Sequence, residues 1–289
     1  MADLKTIQEH IEKVRGKPLS NPRQRPASGG CINEAFVLED AECAEKYFVK
    51  TNDANSRDMF EAEAEGLEEL HRARAIRVPK PIGYGVAGRS AYLVVEYVPM
   101  GGRPDPQAMG QAIAKLHQAT AKQFGWHRNN TIGLTPQLNE WRSNWVEFYR
   151  EHRLRYQFQL ASQKGQSFKG AEQLMERLPA FFDGYDPEPS LLHGDLWGGN
   201  ADYTAEGEPV IYDPAVYYGD READIAFTEM FGGFGYGFYR AYEAVWPLDK
   251  GYATRKKIYN LYHLLNHFNL FGGHYASSSQ RTIDELLCG

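Results

Sequence analysis

Apolar residues recur at helical spacing at the start of the chain, where Leu4, Ile7, Ile11 and Val14 predict a short amphipathic helix ending near Gly16 and Pro18. The period then changes. Short apolar runs around 35–38, 47–50 and 92–98 predict three strands, and a helical stretch carrying Phe60, Ala64 and Leu67 lies between the last two. Gly101, Gly102, Pro104 and Pro106 break the pattern and predict a hinge. Beyond it, Met109, Ile113 and Leu116 mark one helix, and Trp141, Trp145, Phe148 and His152 mark a longer one whose broad aromatic face is expected in the core. Runs at 190–196 and 209–213 predict two small strands flanking a turn, and helices resume near Arg221 and over 254–271. The expected architecture is α+β: a small antiparallel-sheet lobe, residues 1–98, joined to a larger, mainly helical lobe, residues 99–289.

Composition narrows the function. A hydrophobic share of 42% and a charged share of 24% over 289 residues are those of a globular protein with a core of its own. The net charge of -6 offers no broad electropositive surface, so neither nucleic acid nor an anionic membrane is an expected partner. No run approaches the roughly 18 apolar residues of a membrane span, and the start lacks a basic segment followed by an apolar one. Cys31, Cys43 and Cys288 form no C-x-x-C pair, which fits a reducing compartment and makes cytoplasm the expected location.

The strongest chemical signal is His193-Gly194-Asp195-Leu196-Trp197-Gly198-Gly199-Asn200, a His-x-Asp followed by Asn five positions after the Asp. Phosphoryl transfer needs a carboxylate facing the attacking hydroxyl and an amide oxygen that reaches a metal on the phosphates, which makes Asp195 the candidate catalytic residue and Asn200 a candidate metal ligand. A second carboxylate must hold the metal from the other side. Asp213, thirteen residues after Asn200 at the end of the next apolar run, is that candidate. A polar turn between two strands is the competing reading of the same octapeptide.

The first lobe should then carry a cation for the nucleotide phosphates and an anion to hold it. Lys50 ends Tyr47-Phe48-Val49-Lys50, similar to the V-A-I-K strand of kinases, and Glu63 on the following helix is its expected ion-pair partner, with Glu61 and Glu65 as weaker candidates. Between two predicted strands, Gly29, Gly30, Cys31, Ile32 and Asn33 form a turn whose backbone amides suit phosphate oxygens. At the hinge, the main chain of Glu96 and Val98 is placed to bond an adenine. The expected cofactors are therefore ATP and magnesium. His263 and His267 are four residues apart on a predicted helix but have no third ligand, and no metal is expected there.

Together these residues resemble the fructosamine-3-kinase family, which stands with aminoglycoside and choline kinases in the protein-kinase-like bilobal fold. The resemblance spans nearly the whole chain. It is carried by the segment from Gly29 to Asn33, by Phe60-Glu61-Ala62-Glu63, by the octapeptide ending in Asn200, and by Tyr259-Asn260-Leu261-Tyr262-His263-Leu264-Leu265-Asn266-His267. Pro214 and Ala215 follow Asp213 where protein kinases have Phe-Gly, and no A-P-E element follows, which argues against an activation-loop protein kinase.

The resemblance implies phosphorylation of the 3-hydroxyl of ketosamines, free or on protein lysines, in protein deglycation. It also implies that Trp197 stacks on the sugar or its amine, and that Asp224 braces the catalytic loop. An aminoglycoside, choline or methylthioribose kinase is the nearest alternative, and a nucleotide-binding regulator without catalysis is the alternative of another class. A thiol at Cys31, among phosphate-binding amides, would be reactive, so the chain is expected either as a monomer or as a redox-linked homodimer through Cys31.

Overall fold

The structure, a computed structural model, describes residues 3–27 and 32–288. Five strands open the chain: β1 (Arg23–Pro26), β2 (Glu34–Glu39), β3 (Lys46–Asp53), β4 (Pro81–Ala87) and β5 (Ser90–Glu96). They pair antiparallel throughout, in the order β1-β2-β3-β5-β4. Alternation along the central strands sorts their side chains between two faces. Tyr47 and Val49 of β3 and Tyr92 and Val94 of β5 pack with Ile7 and Ile11 of the helix α1 (Leu4–Arg15). Phe48, Leu93 and Val95 point the other way, onto Phe60, Leu67 and Leu70 of α2 (Arg57–Ala73). Lys50 shares the parity of Phe48, so the strand period delivers it to the α2 side.

That second face runs without a break into the core of the remaining chain, where α3 (Pro106–His117) contributes Met109, Ile113 and Leu116 as expected. Asp105 caps α3, its carboxylate accepting from the Ala108 N–H at 3.0 Å. A Cβ at Gly110 would lie 2.3 Å from the Phe238 carbonyl of α8 (Tyr236–Val245), so only glycine permits these two helices to pack so closely.

The aromatic helix departs from expectation at its start. Asn144 caps it by accepting from the Glu147 N–H at 2.8 Å, and Trp141 stays outside, partly exposed beside Tyr218. From there α4 (Trp145–Tyr149) passes through one π-helical stretch, residues 150–155, into α5 (Tyr156–Gln163). Arg153, fully buried in that stretch, lies over the Tyr217 ring at 4.1 Å.

Short pairs and helices complete the frame. A hairpin of β6 (Asn130–Ile132) and β7 (Thr135–Gln137) precedes α4, and α6 (Ala171–Arg177) follows α5. β8 (Ser190–Leu192) pairs with β11 (Tyr217–Gly219), and β9 (Ala201–Tyr203) with β10 (Pro209–Ile211). Thus the run expected as a strand over 190–196 stops at Leu192, where the chain turns. Then come α7 (Glu222–Thr228), α8, α9 (Tyr252–Phe271) and α10 (Tyr275–Cys288). Among the described residues no helix is long and apolar enough to cross a membrane.

Candidate active site

The turn after β8 carries the octapeptide, and its geometry is set by close backbone contact. Gly194 has φ +81, and a Cβ there would fall 2.0 Å from the Ala215 carbonyl. The Ala215 N–H in turn donates to the His193 carbonyl at 2.8 Å, so residues 193–195 and 213–215 are held side by side. His193 is buried, and burial lowers its pKa, leaving a neutral ring. Its Nε2–H donates to the Tyr212 carbonyl at 3.0 Å while Nδ1 accepts from the Asp195 N–H at 3.3 Å, which fixes the tautomer.

Asn200 closes the turn. Its Nδ2 donates to the Asp195 carbonyl and to Asp195 Oδ2, both at 2.9 Å, and lies 3.5 Å from the Asp213 carbonyl. With the amide nitrogen so committed, Asn200 Oδ1 is the atom left to meet a ligand. Asp213 itself has φ +57, a left-handed backbone that costs a non-glycine residue about 1–3 kcal/mol and persists where the surroundings over-determine it.

Lys50 reaches this loop from the sheet. Its Nζ lies 2.5 Å from Glu63 Oε1 and 2.5 Å from Asp213 Oδ1. Burial works against its charge, but the carboxylates of Asp213 and Glu63 outweigh it and raise the pKa, so Lys50 stays protonated. For Glu63, burial outweighs the attraction of Lys50 and raises the pKa. The two other helix glutamates are engaged elsewhere: Glu61 accepts from the Tyr84 hydroxyl at 2.6 Å, and Glu65 from Arg128 at 3.0 Å. For Asp195, burial and the negative charges of Asp213 and Asp224 outweigh the Asn200 hydrogen bond and push the carboxyl up to about 7. The carboxyls of Asp195, Asp213 and Glu63 gather around one lysine, and a bound cation there would favour their charged forms.

These groups line one cavity of about 380 Å³. Lys50, Glu63, Asp195, Asn200 and Asp213 share it with Ile32, Asn33 and Trp197. Ile32 and Asn33 are tied to β3, since Asn52 Nδ2 donates to the Ile32 carbonyl at 3.3 Å and to Asn33 Oδ1 at 2.8 Å. Gly29, Gly30 and Cys31 fall outside the described residues, and with them the expected phosphate turn and the thiol.

The hinge residues stand apart from this cavity. Glu96 donates its N–H to the Lys80 carbonyl at 2.8 Å, and its carboxylate accepts from Arg77. The adenine contact expected of the Glu96 and Val98 main chain therefore falls outside the lining of this cavity. The cavity also has a wall to which motif reading gave no role: Phe227, Phe231, His267, Phe271 and Tyr275, together with the β6–β7 hairpin from Asn130 to Gly133. Their signal in the sequence was only aromatic content, spread over α7, the turn after it, α9 and the start of α10. The site places a lysine–glutamate pair, the carboxylates of Asp195 and Asp213 and the Asn200 amide around one cavity of a kinase-like α+β fold.

The chain belongs to the fructosamine kinase family, whose sequence profile matches residues 3–288. It is 46% identical over 289 residues to a protein of Synechocystis sp. provisionally named a ketoamine kinase, covering 99% of this chain and 97% of that one. The chloroplastic protein-ribulosamine 3-kinase of Arabidopsis thaliana is 44% identical over 281 residues, covering 95% of this chain and 85% of that one. A crystal structure from Haemophilus somnus 129PT, provisionally named a fructosamine-3-kinase, superposes with a TM-score of 0.91 at 30% identity, covering 99% of this chain and 98% of the other.

Proposed function

We propose that this protein is an ATP-dependent kinase that phosphorylates the 3-hydroxyl of ketosamines, ribulosamine or fructosamine adducts of amines and protein lysines, and so acts in protein deglycation in the cytoplasm. The observation that carries this reading is the convergence of Lys50, Asp195, Asn200 and Asp213 on one cavity. Kinship to a protein-ribulosamine 3-kinase supports the substrate class.

In this reading the chain works as two lobes, residues 1–98 and 99–289, with the nucleotide between them. Lys50, held by Glu63, binds the nucleotide phosphates, the turn from Gly29 to Asn33 covers them, and the Glu96 carbonyl and Val98 N–H meet the adenine. Asp213 and Asn200 Oδ1 fit magnesium, which prefers oxygen donors and takes one or two carboxylates along with substrate phosphates. When bound, the ion neutralises charge on the β- and γ-phosphates. Asp195 orients the sugar hydroxyl. As the hydroxyl oxygen bonds to the γ-phosphorus, the bond from that phosphorus to the bridging oxygen breaks, ADP leaves with the electron pair, and the hydroxyl proton passes to Asp195. Trp197 stacks on the acceptor.

A phosphate on the carbon next to the ketone is a better leaving group than hydroxide, so the product can decompose and free the amine. The test is ADP release with ribulose-lysine, fructose-lysine and an aminoglycoside as acceptors. Turnover on a ketosamine is expected, and turnover on the aminoglycoside alone would overturn the assignment.

A further inference from the structure

Lys50 and Glu63 lie deep in the cavity, while the Asp213 side chain is 39% exposed. Lys50, with 6% of its surface exposed, anchors the ionic set, whereas Trp197, Phe231 and Phe271 are 36%, 42% and 58% exposed and stand at the mouth. The aromatic groups form a connected rim. Trp197 and Phe231 have centroids 5.7 Å apart, Phe231 lies 5.3 Å from His267, and His267 lies 5.9 Å from Phe271 and 5.0 Å from Tyr275. His267 adds no formal charge: its Nδ1–H donates to the His263 carbonyl at 2.7 Å, and burial lowers its pKa. Among the described residues, no Asp, Glu, Lys or Arg lines the cavity beyond Lys50, Glu63, Asp195 and Asp213.

We infer that this rim is a subsite for the nitrogen substituent of the ketosamine, and that it selects alkyl or aryl substituents over small polar or anionic ones. The inference rests on the ketosamine reading above. With the 3-hydroxyl at Asp195 and the nucleotide filling the ionic end, the rest of the acceptor must extend toward the mouth. One end of it is a polyol and the other carries the substituted amine. A hydroxyl laid on the ring faces would lose water and find a partner only at their edges, at the Tyr275 hydroxyl or His267 Nε2, while an apolar chain gains by leaving water. An adjacent carboxylate would meet ring faces, which repel anions, and no cation. The butylene stem of a lysine side chain fits the same surface.

The experiment compares kcat/KM for ribulosamines of benzylamine and n-hexylamine with those of glycine and ethanolamine. The apolar pair is expected to be favoured by about tenfold, the scale of a modest gain in apolar contact. Phe271→Ala should move that ratio toward one. The exposed position of Phe271, at the end of α9, makes this a mild change for folding. Equal kcat/KM across the four acceptors in the unaltered protein, or preference for the glycine adduct, would overturn the subsite while leaving the kinase assignment intact. Absence of turnover on all four would instead sink the ketosamine reading and the subsite with it.

Discussion

The carboxylate of Asp224 accepts a hydrogen bond from the Gly194 N–H at 2.9 Å, so the first turn of α7 holds the loop that carries Asp195 by its backbone. The same carboxylate accepts from the His193 N–H at 2.7 Å and lies 3.2 Å from His117 Nε2. All of these groups are buried. The brace therefore acts on the direction in which Asp195 is presented and leaves its charge unpaired.

Replacing Asp224 with Ala would strand two buried N–H groups, each costing about 1–3 kcal/mol. A stability loss of about 2–4 kcal/mol is expected in thermal or denaturant unfolding. Because the loop would lose its aim, kcat should fall by more than KM for ATP rises. Unchanged kcat in a folded Asp224→Ala protein would show that the brace is dispensable for turnover.

Asp195→Asn retains shape and the backbone contacts of the turn but removes the carboxylate proposed above to receive the hydroxyl proton. The loss expected in kcat is roughly 10²- to 10⁴-fold, the usual contribution of a positioned acid or base. Nucleotide binding, assigned above to Lys50 and its neighbours, should survive within a few-fold by equilibrium titration. A variant with ordinary turnover would remove Asp195 from the chemistry.

The same contrast between backbone and side chain explains what the sequence made legible. Lys50, Glu63, Asp195, Asn200 and Asp213 were readable because phosphoryl transfer restricts both residue type and spacing, and all five line one cavity. Strands with alternating apolar residues, such as β3 and β5, were readable from period alone. β1, Arg-Gln-Arg-Pro, was not, because an exposed edge strand needs no apolar face, and β4, with glycines at 83 and 85, lacks the pattern as well. Phe231, in the turn after α7, and Phe271, at the end of α9, escaped notice for a different reason: an aromatic residue in or beside a helix looks like core until the fold leaves it exposed at a cavity.

Hairpin β6–β7 supplies a third test. Gln137 Nε2 donates to the Ala215 carbonyl at 3.0 Å and to Asn130 Oδ1 at 2.9 Å, while Asn130 Nδ2 donates to the Val216 carbonyl at 2.8 Å. The Tyr262 hydroxyl completes the network by donating to Gln137 Oε1 at 2.9 Å. These bonds fix the chain just after the left-handed Asp213. Gln137→Leu should lose about 2–4 kcal/mol of stability from the stranded partners. It should also raise the magnesium concentration needed for half-maximal rate, measured at saturating acceptor, as Asp213 relaxes. An unchanged magnesium requirement would make the network purely structural.

Stability in acid should respond to a pair far from the cavity. Arg15 Nη1 lies 2.8 Å from Asp40 Oδ2, tying α1 to the turn after β2, and both side chains are largely covered. The Arg15 hydrogen bond, against some desolvation, holds the Asp40 carboxyl well below its ordinary value. A carboxylate with a depressed folded pKa adds stability that is fully present above its unfolded value of about 4 and is lost as pH falls toward the folded one. Asp40→Asn should therefore be less stable than the unaltered protein at pH 7, and the gap in Tm should narrow steadily below about pH 4. A gap that stays constant down to pH 3 would mean that the ion pair contributes nothing through the charge of Asp40.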